Sequence, residues 1–124
     1  MVWCRKTCPN SKLTILMQNL NRLNGEITVL FMIRFSDHPG SLSVRQEYMQ
    51  EHLDWLSQNE KLIKVAGSLR QTESSQPEGA LWIVEADSFE KAHLVYLDDP
   101  FWIHGLRKEV EIKSWNLAFD KNWQ

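Results

Sequence analysis

Apolar and polar positions fall into a clear period from residue 28 onward. Thr28 to Phe35, TVLFMIRF, is rich in β-branched and aromatic residues and places Val29, Phe31, Ile33 and Phe35 on one face, with Leu30, Met32 and Arg34 on the other. A strand that is apolar on both faces has to be covered on both. SDHPG turns the chain, and Ser43 followed by Gln46 forms a capping-box pattern for a helix running to about Asn59. Tyr48, Met49, Leu53, Trp55 and Leu56 make the apolar stripe of that helix, and Glu47, Gln50, Asp54, Ser57 and Gln58 lie on its far side. Arg45 and His52 sit in the middle of the apolar stripe, on one line about two turns apart.

Leu62 to Arg70 reads as a second strand, with Ile63, Val65 and Leu69 alternating against Lys64, Ala66, Ser68 and Arg70, and Gly67 marks a bulge or a close backbone approach. A polar hairpin loop, QTESSQPEG, leads into a third strand, GALWIVEA, with Leu81 and Ile83 on one face and Trp82 and Val84 on the other. Asp87 or Ser88 caps a second helix through Leu97, on which Phe89, Ala92, His93 and Tyr96 share a face. Asp99 before Pro100 stops that helix at Asp98. The stretch DDPFWIHGL then forms a shaped connection, and Glu109 to Trp115 a fourth strand with Val110 and Ile112 inward.

The order βαββαβ predicts an α+β fold of ferredoxin-like type, a four-stranded antiparallel sheet with two helices on one face. Leu30, Met32, Ala66, Trp82 and Val84 are expected on the remaining face, an apolar surface too large to leave to water. At about 25 cal/mol per Å² the simplest cover is the same face of a second copy, giving a homodimer and a dimeric α/β barrel.

The 124 residues divide into a loose N-terminal extension over 1–26 with a short helix near Leu13 to Leu23, a domain over 27–119 and a tail over 120–124. The first 25 residues carry Arg5, Lys6, Lys12 and Arg22 and no acid. From Ile27 on there are 10 basic and 15 acidic residues, so a nucleic-acid surface is not expected, because phosphate binding needs a clustered positive field. Cys4 and Cys8 supply too few ligands for a metal site, and a reducing, cytoplasmic setting is the expectation. The apolar run Leu13 to Met17 is too short to span a membrane. No phosphate-binding loop, dinucleotide fingerprint or nucleophile elbow is present, so neither a nucleotide nor another cofactor is expected.

The chemistry concentrates on His52 and Asp99. A histidine on an apolar helix face is often a structural one, but an always-charged arginine on the same line needs an acid when buried, and Asp98 and Asp99 are the candidates. Asp99 is fixed by Pro100, while Asp98 is expected to face solvent or to cap. A carboxylate beside an imidazole holds its tautomer, which is how a general base for neutral pH is built. Asp99 is equally well placed to cap a short helix starting at Pro100 and ending at Gly105, one oxygen serving each task. Ser68 can present a hydroxyl to a ligand or simply occupy a strand, and Trp102 can wall a pocket or plug the core.

Arg45, His52-Leu53, Ala66-Gly67-Ser68-Leu69, Gly79-Ala80-Leu81, Asp98-Asp99-Pro100-Phe101 and Gly105-Leu106 occur in an order and spacing that resembles the YCII family of YciI-like proteins, over Val29 to Phe119. The resemblance implies a small dimeric α+β barrel in which His52 and Asp99 are the active-site pair. It implies little about reaction: one branch of the family eliminates chloride from a chlorinated hydroxyhydroquinone, and the fold is similar to that of muconolactone isomerases. The expected function is a cofactor-free lyase or isomerase in which His52 moves a proton on a small cyclic oxygenated substrate, Asp99 orients it, and Arg45, Ser68 and Trp102 hold the substrate. The alternative is a non-catalytic ligand-binding or dimerisation module built on the same residues.

Overall fold

The computed structural model describes residues 21–23 and 26–119. The elements are β1 (Asn21–Leu23), β2 (Glu26–Asp37), α1 (Leu42–Gln58), β3 (Ile63–Arg70), β4 (Pro77–Ala86), α2 (Phe89–Val95), α3 (Pro100–Ile103) and β5 (Arg107–Trp115). β2 lies between β4 and β5, and β3 pairs with the far side of β4, all antiparallel, which is the ferredoxin-like strand order. Residues 21–23 pair with the start of β2 as β1, so the end of the expected arm helix is a strand; the rest of that expected helix, with Cys4 and Cys8, lies outside the described residues.

Directly opposed residues share a sheet face. The register places Phe31 opposite Val84, Ile33 opposite Trp82 and Ile112, and Phe35 opposite Ala80 and Val110. All these face the helices and, with Ile63, Ala92 and Tyr96, build the core. The sequence expectation for β4 is therefore inverted: Trp82 and Val84 point inward, and Leu81 and Ile83 share the open face with Leu30 and Met32. Every residue of GALWIVEA from Ala80 to Val84 is apolar, so the strand itself gives no sign of which phase faces the core. In β3 the register slips between Ile63 and Val65, so that Ile63 and Ala66 both face inward, and Ser68 follows on that face opposite Ala80. Gly67 is neither the bulge nor a close approach, since a Cβ there would meet nothing within 4 Å.

The close approach is at Gly79, where a Cβ would run into the Phe35 carbonyl oxygen. Gly79 thus lets β4 lie tightly against the end of β2 at the rim where the site is built. α1 starts at Leu42, one residue ahead of the expected cap. Its N-cap Ser41 makes no side-chain cap; the Ser41 hydroxyl donates instead to the His38 carbonyl at 2.6 Å. α2 is capped by Ser88, whose hydroxyl accepts from the Lys91 N–H at 3.1 Å, and it ends at Val95 with a turn through Asp98.

Candidate active site

Two of the buried residues of α1 are polar. Arg45 and His52 are 6% and 7% exposed, and the helix turns both toward the segment that follows α2. There the chain makes its sharpest corner: Asp99 adopts extended backbone, Pro100 opens α3, and Gly105, at φ +78°, closes it in a conformation that glycine accepts without strain. Asp99 is completely buried. Its Oδ1 lies 2.7 Å from His52 Nδ1 and also accepts the Phe101 N–H at 3.2 Å, while Oδ2 is buried without a partner. The two tasks read from the sequence thus fall on one oxygen rather than one on each.

Arg45 does not turn to Asp98 or Asp99. Its acid is Asp37, at the end of β2, whose Oδ2 accepts from Arg45 Nη2 at 2.6 Å. The other Asp37 oxygen accepts from Arg107 Nη1 at 2.8 Å. SDHPG reads locally as a turn, and nothing in it announces that its carboxylate faces a helix starting five residues on and a strand 70 residues on. Arg107, missed by the sequence reading, is the first residue of β5, with its side chain 1% exposed. Burial pushes its guanidinium below the usual value, and the hydrogen bond and charge of Asp37, helped by the charge of Asp99, pull it back. Asp98 is exposed, as expected.

Phe101 joins the two groups. Its fully buried ring stacks on the His52 imidazole at 4.0 Å and 13°, and the Arg45 and Arg107 guanidiniums lie 5.3 and 5.2 Å from its centroid. A π-face attracts cations and flat imidazole rings alike, so one side chain fixes three polar ones. His52, Arg45 and Arg107 then line one side of a cleft of about 200 Å³. Trp82 and Leu56 give it apolar walls, and Ser68 and Arg70 close the side made by β3. Trp102 is not brought to the cleft; it packs edge-on against Tyr96, ring centroids 4.6 Å apart. Among the described residues no group of histidine, cysteine and carboxylate side chains could hold a metal ion, and no helix is long and apolar enough to cross a membrane.

The model of the YCII-related domain matches residues 29–116, a span that contains every residue of this cleft. The chain belongs to the YCII-related domain family. Among solved structures this YCII-related chain is similar to 5-chloro-2-hydroxyhydroquinone dehydrochlorinase (TftG) from Burkholderia phenoliruptrix AC1100, determined in complex with 2,5-dihydroxybenzoquinone. The two share 31% identity over 70% of this chain and 93% of that one, with a TM-score of 0.64. A putative antibiotic biosynthesis monooxygenase from Bacteroides thetaiotaomicron (12% identity, 74% and 90% coverage, TM-score 0.47) and a dimeric ferredoxin-like protein of unknown function from Thermobifida fusca (12%, 81% and 100%, TM-score 0.43) are more distant. No curated protein matches the chain.

Proposed function

We propose that this YCII-related protein is a cofactor-free enzyme of lyase or isomerase type, acting on a small cyclic oxygenated substrate by proton transfer at His52. The observation that carries the reading is the buried 2.7 Å pair between His52 Nδ1 and Asp99 Oδ1 at the wall of a cleft. Asp99 Oδ1 also receives a backbone N–H, which marks it as an acceptor and makes His52 Nδ1 the donor. Nε2 then carries the lone pair and is the nitrogen left for a substrate. In an elimination it takes a proton from substrate carbon or oxygen, the released electron pair forms the new double bond, and the leaving group departs with its own pair. In an isomerisation the same proton returns at another atom. Asp99 offsets the positive charge that His52 gains in either case.

The similarity to a dehydrochlorinase solved with a dihydroxybenzoquinone supports a substrate that is a single oxygenated ring. A cleft of about 200 Å³ suits one ring, since a cavity of about 150 Å³ accepts benzene. Arg45 and Ser68 line this cleft and are proposed to contact the substrate; Trp102 contributes through Tyr96 and the packing of α3. The test begins with a thermal-shift screen of phenols, quinones, lactones and keto acids, 2,5-dihydroxybenzoquinone among them, because a ligand of the native state raises its melting temperature. With a turned-over hit in hand, His52→Ala and Asp99→Asn are expected to abolish turnover in proteins that still fold; undiminished activity in either variant ends the proposal.

The same contacts also clamp α1 to α3, which favours the second reading, a non-catalytic ligand-binding module. Under that reading NMR would show no protonation of His52 between about pH 5 and 9, and its substitution would strongly destabilise the fold. In both readings the protein is proposed to dimerise through the sheet face away from the helices, where Leu30, Met32 and Leu81 lie half-buried around the buried Ile83. Light scattering behind size exclusion showing only monomer at micromolar concentration would sink that proposal.

A further inference from the structure

Among the described residues the cleft is lined by three arginines and one histidine, and by no carboxylate. Two of these guanidiniums already have an acid partner: Arg45 and Arg107 share Asp37, and Asp99 stands behind His52. The third, Arg70 at the end of β3, has no carboxylate within ion-pair distance among the described residues. Its Nη1 donates to the Ser75 carbonyl at 3.0 Å and its Nη2 to the Ser68 hydroxyl at 3.3 Å, both neutral acceptors. Glu78, two residues past the matching end of the hairpin loop, is engaged instead by the Gln71 amide at 2.8 Å. Arg70 is thus the guanidinium of the cleft that no carboxylate answers among the described residues, and its charge sits on the β3 side.

We propose that Arg70 is the anion-recognising residue of this cleft, and that the substrate is a single ring bearing an ionised oxygen or carboxylate, whose charged end meets Arg70 while its reacting atom meets His52. The inference rests on the proposed function, and it places the anion contact at the rim on Arg70 rather than on Arg45, which already pairs with Asp37. Arg70 is exposed yet anchored, so its planar fork is held in place without losing its charge. Ser68 Oγ, accepting from Arg70, retains its own O–H to donate to the ligand, so the two form a paired recognition element on one strand. An anion held there stays off the His52 side of the cleft and leaves Nε2 free for the reacting atom.

The test uses the full chain and two probes of nearly equal shape. 2,5-Dihydroxybenzoquinone is a vinylogous acid and ionised at neutral pH; 2,5-dimethoxybenzoquinone cannot ionise. Affinities are measured by titration calorimetry for wild type, Arg70→Gln and Arg70→Lys. The expected result is that Arg70→Gln weakens the ionised quinone about tenfold or more, as loss of a charge-assisted hydrogen bond does, and leaves the dimethoxy compound unchanged within about twofold. Arg70→Lys recovers part of the loss, because it keeps the charge without the fork. Equal changes for both probes, or none for the ionised one, overturn the inference and leave the His52 proposal standing. Failure of wild type to bind either probe overturns both.

Discussion

Two carboxylates with buried side chains serve the groups that pack on the Phe101 ring, and they are used in opposite ways. Asp37 gives one oxygen to Arg45 and the other to Arg107, so each of its oxygens has a charged donor. Asp99 gives a single oxygen to both His52 and the Phe101 N–H and leaves the other buried and bare. A buried carboxylate oxygen that no protein donor reaches forgoes the roughly 1–3 kcal/mol that satisfying it would bring. The saturated cluster ties β2, α1 and β5 together; the unsaturated one stands behind His52, the one histidine among the described residues of the cleft wall. Under the proposed function, stability and chemistry fall to separate carboxylates whose partners pack on one ring.

The contrast is broken most directly at Asp37. Asp37→Ala leaves two buried guanidiniums without an acid and is expected to lower stability by about 3–5 kcal/mol in urea denaturation. A loss below about 1 kcal/mol would show that the cluster does not organise the fold. Arg107→Met should be milder, about 1–3 kcal/mol by the same measurement, because Arg45 still holds Asp37. Asp99→Asn is expected to change stability by only about 1 kcal/mol, since an amide oxygen keeps the Phe101 cap and the second position already lacks a partner, yet it should remove turnover. If Asp99→Asn destabilised as strongly as Asp37→Ala, the two carboxylates would have the same role. A local contact outside both clusters sets the scale: Ser88→Ala is expected to lose about 1 kcal/mol with its cap bond, whereas Ser43→Ala, at the capping box that does not form, should stay within about 0.5 kcal/mol.

The pairs that the sequence exposed are those written in local geometry. Arg45 and His52 share a line because helical period alone puts them there, and Asp99 caps α3 because proline fixes the residue before it. The partner of Arg45 was not legible, since Asp37 sits in a segment whose local signal is only a turn. Arg107 was not legible either: a basic residue opening a strand looks solvent-facing until the aromatic faces of Phe35 and Phe101, 4.6 and 5.2 Å from its guanidinium, are known to cover it. Arg70 stood in a strand phase that the β3 bulge rearranged.

By itself the sequence determined the order of strands and helices from β2 onward, the apolar stripe with its two polar exceptions, and the corner at Asp99-Pro100, because each is set by residues within a turn or two of one another. Tertiary structure decided which phase of an all-apolar strand faces the core, where a one-residue slip turns β3 over, and which carboxylate answers which arginine. Those choices depend on free energies of packing and desolvation summed over segments as far apart as Asp37 and Arg107, and no local period carries that information.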